Sequence, residues 1–237
     1  MYDANKTVRE LTVELPHAVR VFEGFGIDYC CGGAKPLADA CKQAKVSLDD
    51  VMQRLEEASP ARSRDTDWTQ GSITSLIDHI VARHHTYVKQ ELPRLQQLIA
   101  KVSGKHGEKH PELYRIKTVF SALSDELNSH LMKEETILFP YLYQLEQAQA
   151  PARGNACFGT VRNPIHMMEL EHDSAGDALR ELRQITNQFT PPEDGCTSYQ
   201  MLYRGLQEFE ADLHRHIHLE NNILFPRAVS MEAASRS

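Results

Sequence analysis

Apolar residues return every three to four positions through most of this chain, the period of a helix with one buried face. Ile73, Leu76, Ile77 and Ile80 mark one such face, Ile116, Val119, Phe120 and Leu123 a second, and Leu202, Leu206, Phe209 and Leu213 a third. Breakers separate the stretches: Gly104, Gly107 and Pro111, then Pro151 and Gly154, then Pro191, Pro192 and Gly195. The pattern predicts four long helices over roughly residues 72–102, 112–147, 162–188 and 197–230. The third is poor in apolar residues at its middle, so its bounds are the least sharply marked. Four helices with three connections predict an all-α fold, an up-down-up-down four-helix bundle.

Residues 1–57 read as a separate helical module. Thr7-Val-Arg-Glu10 is a capping-box pattern. Pro16 to about Phe25 reads as a short helix, and Pro36 to Lys45 as a second. Ser47 caps a third, with Leu48, Val51, Met52 and Leu55 on one face. Gly24, Gly26, Gly32 and Gly33 bracket Asp28-Tyr29-Cys30-Cys31 in a turn-rich segment. Residues 58–71, rich in Ser, Pro, Arg and Asp, read as a linker, which assigns 72–230 to the bundle.

A length of 237 residues allows one or two domains with a proper core. The net charge of −7 disfavours nucleic acid as a partner, since phosphate contacts need Lys and Arg. No apolar run approaches the ~18–20 residues of a membrane span. Met1 to Lys6 is followed by no apolar stretch, so no secretory signal is expected. The five cysteines, Cys30, Cys31, Cys41, Cys157 and Cys196, form no Cys-x-x-Cys pair and no disulfide-framework spacing, which points to a reduced, cytoplasmic setting. Cys41, Cys157 and Cys196 read as incidental.

The chemistry lies in a repeat. His130-Leu-Met-Lys-Glu134-Glu-Thr-Ile-Leu-Phe-Pro140 returns 86 residues later as His216-Ile-His-Leu-Glu220-Asn-Asn-Ile-Leu-Phe-Pro226. His85 precedes His130 by 45 residues, and His172 precedes His216 by 44. On a helix, His-x3-Glu sets an imidazole and a carboxylate one turn apart on one face. One such pair usually marks a solvated face; two copies with matched upstream histidines point to a metal site. Each predicted bundle helix carries one of the four histidines. Imidazole and carboxylate together suit iron or manganese, and also zinc. Four histidines and two glutamates can hold two ions and leave positions open for dioxygen, nitric oxide or water. Glu126 and Asp212, one turn before His130 and His216, are the expected acceptors for ligand N–H groups. Helical phasing places His79, His84, His214 and His218 on the surface or at its boundary. Glu171, beside His172, is a candidate for proton transfer or labile ligation.

With Asp28-Tyr29-Cys30-Cys31-Gly32-Gly33 added, the chain resembles the RIC family, for repair of iron centres, over nearly its whole length. These are hemerythrin-like di-iron proteins with an N-terminal CCGG module. The resemblance implies two non-haem irons, oxo- and carboxylate-bridged, held by His85, His130, Glu134, His172, His216 and Glu220, with Glu134 and Glu220 as bridges. It implies action in the cytoplasm on iron–sulfur proteins damaged by nitrosative and oxidative stress, and a homodimer. Cys30 and Cys31 are expected to be exposed, of lowered pKa, and active in carrying iron. Delivery of iron to damaged clusters is the leading function. The rivals are a di-iron nitric oxide reductase and a protein that binds nitric oxide or dioxygen without turnover.

Overall fold

The computed structural model describes residues 3–58, 67–147 and 158–236. Cys157, Pro151, Gly154 and most of the predicted linker lie outside the described residues.

The N-terminal module holds α1 (Val8–Glu14), α2 (Ala18–Phe25), α3 (Leu37–Ala44) and α4 (Leu48–Glu57). The capping box is present: Thr7 Oγ1 accepts from the Glu10 N–H, and the Glu10 carboxylate accepts from the Thr7 N–H at 2.8 Å. α2 begins later than expected. Pro16 lies before its cap, His17, and Gly26 closes it at φ 67°, the left-handed region where glycine has no side chain to clash. Ser47 caps α4 through the Asp50 N–H.

The bundle has four long members, three of them interrupted. The first runs as α5 (Ile73–His79), a π-helical turn (Ile80–His85) and α6 (Thr86–His106). The second is α7 (Glu112–Lys133), a π turn (Glu134–Leu138) and α8 (Phe139–Gln147). The third is the uninterrupted α9 (Arg162–Ile185). The fourth is α10 (Thr197–His218), a π turn (Leu219–Leu224) and α11 (Phe225–Arg236). α6 packs on α7, α7 on α9, α9 on α10, and α10 back on α6, so the up-down-up-down ring closes. The four spans follow the apolar pattern to within a few residues, because bundle packing rewards that periodicity wherever it occurs.

The apolar core is split in two. One cluster, with Val88, Leu92, Phe120, Leu127, Ala175, Leu179, Phe209 and Leu213, continues into the N-terminal module through Leu11, Phe22, Tyr29 and Leu37. The other, with Ile73, Ile77, Leu138, Phe139, Met168, Leu224 and Phe225, fills the opposite end. Between them every bundle member passes through a polar layer.

Candidate metal centre

That layer contains the six predicted residues. His85, Glu134, His216 and Glu220 bring four donor atoms within 4.8 Å of one another, and His130, Glu134, His172 and Glu220 do the same. The two groups share both carboxylates. All six side chains are buried, and Glu134 and Glu220 are 0 % exposed. His216 Nε2 lies 3.1 Å from Glu220 Oε1, and His172 Nε2 lies 3.2 Å from Glu220 Oε2. Glu134 Oε2 lies 3.4 Å from both His85 Nε2 and His130 Nε2, without the alignment of a hydrogen bond. Both Glu134 oxygens and Glu220 Oε2 are therefore buried with no hydrogen-bond donor. Imidazoles also meet nitrogen to nitrogen: His85 Nε2 and His216 Nε2 at 3.1 Å, His130 Nε2 and His172 Nε2 at 3.1 Å. Buried carboxylate oxygens without donors and converging ring nitrogens are costly unless a cation satisfies them. The residues fit a metal.

The local backbone explains how six polar groups face inward together. His85 ends the first π turn, Glu134 begins the second, and Glu220 lies in the third. A π turn widens the helix by one residue and shifts its phase, a device concentrated at functional sites.

Charge is arranged to hold the nest together. Burial opposes protonation of His85, yet Glu134 and Glu220 carry its pKa up to about 10. Burial likewise opposes charge on His172, and Glu220 carries it up to about 9. For His216 burial wins and the pKa falls. Burial alone would raise Glu220, but His216, His172 and His85 hold it well below the usual carboxylate range.

The outer ring nitrogens have partners that differ from those expected. His85 Nδ1 bonds Glu135 Oε1 at 2.7 Å, and Lys89 neutralises that carboxylate. His130 Nδ1 bonds Glu171 Oε2 at 2.8 Å, and Lys133 pairs with the same carboxylate. His172 Nδ1 bonds Asn221 Oδ1 at 2.8 Å. His216 Nδ1 is buried without a partner. Glu126 instead accepts from Ser174 Oγ at the surface, and Asp212 pairs with His84 Nδ1 at 3.1 Å. The partners found are sequence neighbours of the clustered residues: Glu135 follows Glu134, Asn221 follows Glu220, and Glu171 precedes His172. Adjacency to a ligand on a helix crowded by its neighbours was the available signal.

Two of the histidines expected at the surface are inside. His84 is 4 % exposed and stacks on His216 with ring centroids 5.6 Å apart. His218 is 6 % exposed, lies edge-on to Tyr29, and burial lowers its pKa to about 4. Regular phasing fails here because α10 covers His84 through Asp212 and His216, and the N-terminal module covers His218 through Tyr29.

That module docks by its Cys-Cys loop. The Tyr29 carbonyl accepts from Asn222 Nδ2 at 2.9 Å, and Arg215 pairs with Glu23 at 2.7 Å. Cys31 Sγ donates to the carbonyl of His172 itself at 3.4 Å. Cys30 Sγ lies 3.7 Å from Cys31 Sγ and 3.4 Å from Asp28 Oδ1. Asp28, Cys30 and Cys31 form a third group with metal-ligand spacing. The expectation of two exposed thiols of lowered pKa does not hold for Cys30: it is 1 % exposed, and its hydrogen bond to Cys31, together with burial, raises its pKa well above that of an ordinary thiol.

Comparison with known proteins bears on the same residues. The family model described as the hemerythrin HHE cation binding domain matches residues 76–228, and one described as a domain of unknown function, ScdA_N, matches residues 4–59. The chain is 39 % identical over 229 residues to a probable iron-sulfur cluster repair protein of Haemophilus influenzae, covering 96 % of this chain and 98 % of the relative. It is 37 % identical over 232 residues to the iron-sulfur cluster repair protein YtfE of Dickeya chrysanthemi, covering 98 % and 100 %. To the YtfE protein of Yersinia pseudotuberculosis it is 36 % identical over 228 residues, covering 96 % and 98 %.

Proposed function

The chain belongs to the repair-of-iron-centres family of hemerythrin-like proteins, and we propose on that premise that it holds two irons and gives iron to damaged iron–sulfur clusters in the cytoplasm. One observation carries the reading: two four-donor groups share both carboxylates. His85 and His216 would hold one ion, His130 and His172 the other, with Glu134 and Glu220 spanning both. Imidazole and carboxylate hold iron(II) less firmly than an all-thiolate site, which suits a donor.

The chain's own residues set the terms of release. Glu135, Glu171 and Asn221 fix the ring orientation of His85, His130 and His172, so each Nε2 points inward. Cys31 touches the backbone of a ligand residue, and Cys30 and Asp28 stand behind it. In this reading Cys31 is the first sulfur to receive departing iron and Cys30 the second. Cys30 is a thiol at neutral pH, and its Sγ lies 3.4 Å from Asp28 Oδ1. The four described cysteines are all free, in keeping with a reducing compartment. Among the described residues no helix is long and apolar enough to cross a membrane.

The test is anaerobic. Loaded protein should carry two irons per chain and restore activity to an apo iron–sulfur enzyme. Changing both Cys30 and Cys31 to Ser should leave the iron content and abolish most of the restoration. An iron content of one or fewer rejects the paired site, and full restoration by the double variant rejects the sulfur relay. Nitrous oxide evolved from nitric oxide without cluster restoration would mark the centre as a reductase instead.

A further inference from the structure

At the end of the bundle away from the metal ligands, a cysteine meets a histidine. Cys196 stands at the N-cap of α10, and His106 is the last residue of α6. Along α10 the rise from Thr197 to His216 is about 30 Å, so this end does not touch the metal centre. His106 Nε2 lies 3.1 Å from Cys196 Sγ. The pair opens on a cavity of about 250 Å³ that Lys101, Lys105, Val102 and Ser198 also line.

The surroundings favour a thiolate. Tyr199 lies edge-on to the His106 ring at 5.6 Å and fixes its plane. The nearby acids are engaged elsewhere: Asp194 bonds His110 Nε2 at 2.9 Å, and Glu112 bonds His110 Nδ1 at 3.2 Å. No first-turn N–H of α10 caps the sulfur at full hydrogen-bond geometry, but the field of those groups acts on it. The Tyr199 N–H lowers the thiol pKa most, burial opposes, and the Ser198 N–H, Lys105 and Lys101 add to the lowering. A base in contact, two cations and an open, partly exposed cavity are the conditions under which a cysteine reacts.

We propose that Cys196 is a site of thiol–disulfide exchange with a small anionic disulfide of the glutathione class, with His106 as the base that takes the thiol proton. The thiolate attacks one sulfur of the disulfide. A bond forms between Cys196 Sγ and that sulfur, the original sulfur–sulfur bond breaks, and one thiolate leaves with the electron pair. The disulfide is the oxidant, and the proton stays on His106 until the leaving thiolate or solvent collects it. Lys101 and Lys105 receive the carboxylates of the incoming molecule. The site is independent of iron, so it gives the chain a second response to oxidising conditions.

The experiment treats full-length, iron-loaded protein with glutathione disulfide anaerobically, quenches with acid and maps the peptides by mass. The mixed disulfide should appear first on the Cys196 peptide and be absent in Cys196→Ser. His106→Gln should slow it by about tenfold or more at pH 7 and by little at pH 10, where solvent removes the proton. Lys101→Gln with Lys105→Gln should slow glutathione disulfide more than the uncharged bis(2-hydroxyethyl) disulfide. Alkylation of the unaltered protein keeps the test free of folding effects: its pH midpoint at Cys196 should lie below the ~8.5 of an ordinary thiol. A midpoint at or above that value, reaction at Cys31 ahead of Cys196, or an unchanged rate in a folded His106→Gln protein would overturn the proposal.

Discussion

The two copies of the repeat share six of their eleven residues and live in different environments. In the first, Met132, Thr136 and Ile137 face solvent and Glu135 is half-buried beside Lys89. In the second, every residue from His216 to Phe225 is buried. The cause is the N-terminal module, which packs α1 and the Cys-Cys loop over the second copy and leaves the first bare. The substitutions between copies follow from that covering. Lys133 becomes Leu219, Glu135 becomes Asn221, and Thr136 becomes Asn222. A charged partner for a ligand imidazole is tolerable where a lysine and water can balance it; under the module a neutral amide serves. The repeat thus brings the His and Glu side chains together, and docking separates the settings in which their partners stand.

The sharpest way to break the comparison is at the shared carboxylates. Glu134→Ala and Glu220→Ala should each lose at least one iron per chain, because each carboxylate belongs to both donor groups; iron analysis after anaerobic loading checks this, and a variant retaining both irons would refute the shared role. The supports come next. Glu135→Ala and Asn221→Ala should each weaken iron binding by about 10–100-fold, read by competition with a chelator. If only the first copy responded, the amide of Asn221 would be a packing group and not a support.

pH acts in opposite directions on the upstream histidines and on the second copy. Without metal, His85 and His172 have pKa values of about 10 and about 9, above the ~6.5 of the unfolded chain. Their contribution is complete below pH ~6.5 and is lost as pH rises through those values. The metal-free protein should therefore lose denaturant resistance between pH 7 and 10, while loaded protein, whose ligand imidazoles are already deprotonated, should not. His218 runs the other way. Its pKa of about 4 makes it neutral in the fold, so its contribution is present above pH ~6.5 and is lost as pH falls toward 4. Exchanging it for its counterpart, His218→Met, should flatten the acid side of the profile and keep the iron.

The smallest effects lie at the paired positions 136 and 222. Asn222→Ala strips the Tyr29 carbonyl of its donor in a buried contact and should cost about 1–3 kcal/mol in urea unfolding. Thr136→Ala, at the exposed counterpart, should stay within about 0.5 kcal/mol. Equal costs would mean that the module does not cover the second copy in solution.

The sequence carried the bundle well, because amphipathic period and breakers act locally along each helix. It also marked which side chains would meet, since His-x3-Glu and its upstream histidine recur in register. It misled where tertiary contact overrides local geometry. Ideal phasing puts His84 outside, whereas Asp212 and His216 of α10 cover it. His218 and Cys30 were placed outside because nothing in a local pattern says that residues 3–58 will lie against α10. Symmetry points to Glu126 and Asp212, whereas the partners of the His85, His130 and His172 rings come from neighbouring helices.

The π turns bear on how such a chain can change over generations. Each closes its hydrogen bonds over one residue more than an α-helix does, and they stand where the polar layer divides the two apolar clusters. A single-codon deletion within Ile80–His85 would restore an ordinary helix and rotate everything before it by about 100° relative to everything after. Ile73 and Ile77 would then leave one cluster while Val88 and Leu92 kept their place in the other. On that helix the clustered His and Glu side chains and the core would fall out of phase. Length changes inside the three turns should therefore disturb the fold more than point substitutions across the surface.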